Sequence, residues 1–270
     1  MAIKRFIGTD GSYSTAGNWS PAGVPVAADT VRFTPDSGPI TSGLNQSAVA
    51  LTAFIVEDGC PTLFATLAGY LQINTARFEF GGQGTGYFDF GAAAVDPQIL
   101  RTASSGIGRR GLYLIGTNMG KVNVLGGNVG IASNPGEVAT VNTLRVAGDA
   151  ADVWAGVGVT LTNFQQHSGK ARVRCNGTTL DVFSGELTTE EAAALTTLNL
   201  YGGTVIHNAT GTLGTANLRG GLLDLLKSDA LRTITNLNLY RGAQLRHNKE
   251  AVTVTTCILQ ESAFLIASPP

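Results

Sequence analysis

The sequence predicts an all-β fold, a parallel β-helix (β-solenoid) of about 10–11 rungs with an N-terminal arm or cap. Three observations carry that prediction: a short segment that recurs along the chain, the apolar–polar alternation inside it, and a composition rich in glycine and poor in charge. The segment is clearest at residues 197–203 (TLNLYGG) and returns at 215–221 (TANLRGG) and 236–242 (NLNLYRG). Earlier versions stand at 54–56 (FIV), 78–82 (FEFGG), 121–127 (KVNVLGG), 143–146 (TLRV) and 179–183 (TLDVF). The first apolar residue of each unit is then Phe54, Phe78, Leu100, Val122, Leu144, Phe164, Leu180, Leu198, Ala216, Leu237 and Cys257, in steps of 16 to 24 residues.

Alternation with period two buries one side of a strand, so Leu198 and Leu200 are expected to point inward and Asn199 outward. One rung alone cannot hide that face. Stacking rungs at about 4.8 Å gives every strand two parallel neighbours, and some eleven of them make a rod of roughly 50 Å. The charged fraction of 14% and the 35 glycines fit a neutral, turn-rich surface. The expected boundaries are an arm and cap over residues 1–48, the solenoid over 49–262 and a C-terminal cap over 263–270.

In chain order, residues 1–48 fall outside the repeat and are broken by Asp10-Gly11, Pro21, Pro25, Pro35 and Gly38-Pro39, which mark turns. A solenoid needs its open end covered, because a bare terminal rung is a template for pairing. Trp19 is expected to plug the apolar column, and Asp29 to tie a turn ahead of the first inward residues Val31 and Phe33. Residues 84–120 are the least regular, with glycines at 84, 86, 91, 106, 108, 111, 116 and 120, and predict loops that leave the rungs. Thr188 three residues before Glu191, running into alanines, has the pattern of a capping box and predicts a turn or two of helix before Leu195. The apolar 264–266 (FLI) followed by Pro269-Pro270 is the expected C-terminal cap.

The chain holds 18 basic and 19 acidic residues, with no basic run to track a phosphate backbone, so nucleic acid is not an expected partner. Residues 1–8 lack the apolar core of a secretory signal, and no apolar run is long enough to span a bilayer. Neither export by a standard signal nor a membrane partner is expected. Near-zero net charge and a mean hydropathy of +0.15 favour association. Cys60, Cys175 and Cys257 show no C-x-x-C spacing and are expected to be reduced and buried.

Candidate chemistry is thin. Residues 106–111 (GIGRRG) match G-x-G-x-x-G, but the following residues 112–115 (LYLI) predict a strand where a dinucleotide site needs a helix N-terminus. His167, His207 and His247 are spaced 40 apart, yet only the last two share a phase, and rungs that far apart cannot share a metal ion. They are expected to be solvated turn residues. Asp149 and Asp152 are expected in a turn, with no acidic neighbours at equal phase to build a hydrolase pair or a calcium site. No catalysis, metal or cofactor is therefore expected. Asn123, Asn199, Asn217 and Asn238 share an outward phase and Phe183, Tyr201 and Tyr240 another, as stabilising ladders or as a contact face.

Asn18, Trp19, Gly23, Pro25, Asp29, Thr30 and Val31, within residues 17–31 (GNWSPAGVPVAADTV), carry a resemblance. The stretch resembles the segment that leads into the β-solenoids of autotransporter-like surface proteins and of phage-encoded virion proteins. The resemblance covers some fifteen residues and the rung pattern, and it implies a structural virion protein of a bacteriophage, assembled in the host cytoplasm. The expected role is capsid decoration or cement, bridging major capsid protein subunits as a homotrimer. A tail fibre or tailspike-like binder of a receptor or polysaccharide is the alternative. Aromatic and arginine side chains anchor most interfaces, so Arg5, Phe6, Trp19, Arg32 and Phe33 are the expected partner contacts. On that reading, removing residues 2–34 costs attachment while the solenoid survives.

Overall fold

The computed structural model describes residues 1–102, 111–191, 193–227, 231–247 and 251–260. The 24 strands among these described residues, numbered in chain order, stack as a parallel β-solenoid with two sheet faces. One face runs β1 (Ile3–Phe6), β3 (Thr30–Phe33), β5 (Ala53–Val56), β7 (Arg77–Phe80), β9 (Asp96–Ile99) and the second half of β10 (Leu112–Val124). It continues through β12 (Ala139–Val146), β14 (Val159–Gln166), β16 (Gly177–Val182), β18 (Leu195–Leu200), β20 (Leu213–Leu218), β22 (Arg232–Leu239) and β24 (Val252–Leu259).

The other face runs β4 (Asn45–Leu51), β6 (Leu71–Thr75), β8 (Gly86–Asp89), the first half of β10, β11 (Gly127–Ile131) and β13 (Ala151–Ala155). It ends with β15 (Lys170–Val173), β17 (Glu186–Thr189), β19 (Thr204–His207), β21 (Leu222–Asp224) and β23 (Gln244–Arg246). The short β2 (Trp19–Ser20) pairs antiparallel with β1.

The register follows the expected frame from Val122 to Cys257: Val122, Leu144, Phe164, Leu180, Leu198, Ala216, Leu237 and Cys257 are successive partners, and all but Cys257 are buried. One placement is corrected. Phe78 pairs with buried Pro97, not Leu100, and Leu100 is 51% exposed in the turn that follows. Proline cannot donate to a ladder and so reads as a strand breaker. At Pro97 it instead stands at the second residue of a short strand.

The N-terminal boundary is corrected too. β1 and β3 are full members of the stack, so residues 1–48 are no separate arm: the solenoid begins at Ile3. Its first rungs are packed with phenylalanine, Phe33 lying 5.2 Å from Phe54 and Phe54 stacked 5.8 Å from Phe78. Later rungs are filled by leucine and valine.

The recurring Gly-Gly has a steric cause. Gly203 and Gly221 turn at φ +77° and +71°, and a Cβ at either would lie 2.5 Å from the carbonyl oxygen of Gly185 or Gly203 one rung below. Only glycine lets rungs stack at β spacing through such a turn.

Among the described residues of 188–194 there is no helix. Thr188 and Thr189 end β17 and Leu195 opens β18, because pairing with β15 and β19 claims the backbone that a helix would use. Cys60 and Cys175 are free and buried, whereas Cys257, on the last strand, is exposed. The G-x-G-x-x-G residues 106–110 and the expected cap 263–270 lie outside the described residues; Gly111 immediately precedes β10. No helix is long and apolar enough to cross a membrane among the described residues.

Candidate partner-binding surfaces

The five expected anchors separate into two groups. Phe6, Trp19 and Phe33 are buried, at 0%, 1% and 0% exposure. The Trp19 ring meets Phe6 edge-on at 5.1 Å and Tyr13 at 4.8 Å, and its Nε1 donates to the Tyr13 carbonyl at 2.8 Å. These rings are the plug of the apolar column and present nothing to a partner, which corrects their assignment as contacts. Burying them there removes the open end that the first rung would otherwise show to water.

Asp29 ties this end together: its carboxylate accepts hydrogen bonds from the Ala2 and Val26 amides at 2.7 and 3.2 Å. Burial pushes its pKa up, but those bonds, the amino terminus and Lys4 outweigh it and hold the carboxyl below its ordinary value.

Arg5 and Arg32 do face outward, side by side in the β1–β3 register. Arg5 donates to Asp36 at 3.0 Å and to Thr34 Oγ1 at 3.1 Å, and Arg32 to Glu57 at 3.2 Å. With side chains 47% and 44% exposed, these pairs hold the guanidinium groups in place with little net stabilisation. Beside them Ile3 and Ile7 are 60% and 50% exposed, an apolar element of the same end. Ile3 and Ile7 belonged to no repeat, so only their place on β1 and after it marks them as surface.

Both ladders form in part: Asn123 stands apart from the other three asparagines, and His167 takes a place in the ring stack while Tyr240 meets only Arg219. Asn199 Nδ2 donates to Asp181 Oδ1, Asn217 to Asn199 and Asn238 to Asn217, at 2.8, 2.8 and 2.7 Å, while Asn123 donates to Gln98 at 2.9 Å. Next to this amide column His167, Phe183 and Tyr201 stack with nearly parallel rings, centroids 4.8 and 4.9 Å apart. The Arg219 guanidinium lies 5.6 Å from the Tyr201 ring and 5.3 Å from that of Tyr240. No protein-family model, curated protein or solved structure matches the chain.

The histidines differ from one another. His167 is exposed on the ladder, but His207 is 1% exposed, with Nδ1 2.6 Å from Thr189 Oγ1 in the adjacent strand, which overturns its reading as a solvated turn residue. The buried Arg232 closes over it, donating to the carbonyls of His207 and Leu225 at 2.9 and 2.8 Å. His207 is the last residue of β19, and Arg232, which covers it, is the first of β22. Asp149 sits in a turn, while Asp152 lies on β13 beside Lys170. Among the described residues, no three His, Cys, Asp or Glu side chains gather as a metal site would need.

Burial, then the charge of Arg232, lowers the His207 pKa to about 4. The folded pKa lies below the unfolded one, so the unfolded chain binds more protons between the two. Stability is full above about pH 6.5 and falls as the pH drops toward 4, by up to about 3 kcal/mol. Urea midpoints at pH 7 and pH 5 measure this, and His207→Gln is expected to flatten the difference; an unchanged pH dependence in that variant rejects the assignment.

Proposed function

We propose that this chain is a structural virion protein of a bacteriophage, a capsid decoration or cement protein that bridges and stabilises major capsid protein subunits. The observation that carries the reading is the N-terminal end of the rod. There the lead-in segment closes the column through buried Trp19 and sets Ile3, Arg5, Ile7 and Arg32 on the outside. A rigid rod whose plugged end carries apolar and arginine side chains can dock on a lattice with small ordering cost. Phe6, Trp19 and Phe33 serve indirectly, by fixing the strands that carry these contacts. The protein acts as a homo-oligomer, a trimer on this reading, in the virion.

Capsids prepared with and without the protein test the proposal. Particles lacking it are expected to release their genome at lower temperature, and Ile3→Asp with Ile7→Asp is expected to abolish rescue by added protein while the fold persists. Undiminished particle stability, together with binding of the isolated protein to host cells, rejects the cement role in favour of a tail-fibre-like receptor or polysaccharide binder.

A further inference from the structure

The face made of β14, β16, β18 and β20 has different edges at its two ends. Where those strands finish stands a ridge: His167, Phe183, Tyr201 and Arg219, all exposed, with Phe183 and Tyr201 at 41% each. Where the same strands begin lies an open groove of about 750 Å³, lined among others by Val157, Leu161, Gly177, Thr178, Thr196 and Gly214. Val157 is 58% exposed, a large apolar side chain left at the groove's mouth.

What fits the ridge follows from its stacking. The rings lie 6° and 8° from parallel, so each covers its neighbour's face and only ring edges look outward. A sugar, which would bind by laying its ring on an aromatic face, finds none free within the stack. Ring edges and a guanidinium instead fit a neutral concave protein surface. The groove is such a surface, for no charged side chain lines it. Three residues before its Ala194 stands Glu191, whose half-exposed carboxylate meets Arg174 and gives this edge the acid that the ridge's Arg219 lacks on its own.

Ridge and groove occupy the same four strands, with no offset along the rod axis. A head-to-tail contact closes into a ring when no translation accompanies its rotation, and otherwise grows a filament. We propose that the ridge of one copy seats in the groove of a second, parallel copy, closing a ring whose interior is lined by the amide ladder of Asp181, Asn199, Asn217 and Asn238. This deepens the self-association in the proposed function and does not depend on the capsid contact.

Cysteine pairs test it. With Cys257→Ser removing the exposed thiol, Thr196→Cys and Tyr201→Cys in one chain sit about 16 Å apart along their strand, too far to join within a copy. Between parallel copies they meet. Mild oxidation is expected to give covalent rings from the double variant and single chains from either variant alone. Phe183→Glu with Tyr201→Glu is expected to yield monomers by light scattering, with the melting transition retained. Dimers from Tyr201→Cys alone would show ridge meeting ridge and overturn the proposal, as would a monomeric unmodified protein at the concentrations that decorate particles. Capsid binding that persists in the monomeric double-glutamate variant leaves the cement role standing and separates the two claims.

Discussion

Deleting residues 2–34 is expected to unfold the protein, not merely to release it from a partner. The deletion removes β1 and β3, and with them Phe6, Trp19, Val31 and Phe33, all essentially buried. Phe54 and Phe64, which pack on Phe33 at 5.2 and 4.7 Å, would then face water at a bare terminal rung. That rung would also expose the unpaired backbone of β5 as an aggregation edge. A finer probe is Trp19→Ala, expected to cost about 3–5 kcal/mol, because it opens a cavity among rings that cannot collapse onto one another. For a chain of this size that is a fall of roughly 10 °C in Tm. A truncated chain that stays soluble and melts cooperatively at the full-length temperature would overturn this account of the first rungs.

Leu198→Asp is expected to cost several kcal/mol, since an unpaired carboxylate in the fully buried column has neither water nor a partner. The neighbouring change Asn199→Asp reads as mild from alternation alone, but the ladder alters that. Asn199 donates to the Asp181 carboxylate at 2.8 Å and accepts from Asn217 at 2.8 Å. Replacing it with a carboxylate removes the donor and sets like charges side by side, a loss of about 1–2 kcal/mol at neutral pH. Denaturant midpoints of the two variants at pH 7 would show both losses. Equal losses at Leu198 and Asn199 would refute the inward–outward frame.

Most of the frame was legible because a solenoid is nearly one-dimensional. Each rung contacts the next at equal phase, so apolar-polar-apolar with glycine after it reports both a strand and its neighbours. Phe164 was found this way although its spacing is short, and the frame slipped only at Pro97, where residue type argued against a strand. The Thr188–Glu191 signal failed for a related reason: local helix propensity is a few tenths of a kcal/mol per residue, and two parallel neighbours outweigh it.

The candidate surfaces were less legible. Residue type points to Phe6, Trp19 and Phe33 as anchors, and type alone does not distinguish an aromatic plug from an aromatic contact. His207 looked solvated because its cover, Arg232, opens β22 ahead of the residues that carry the repeat pattern, and only the fold brings its guanidinium to the His207 carbonyl.

By itself the sequence determined the fold class, the inward column from Val122 to Leu237, the outward phase of Asn199, Asn217 and Asn238 and of Phe183 and Tyr201, and the need for glycine at the turns. All of these depend on interactions repeated at a fixed period, and periodicity survives in a string of residues. Only the tertiary structure decided that residues 1–48 begin the rod, that Trp19 points into the column, that His207 is buried, and that ridge and groove share the same rungs. Those depend on which way a non-repeating segment folds over the stack. That direction is set by contacts between residues distant in sequence, for which no local pattern is required.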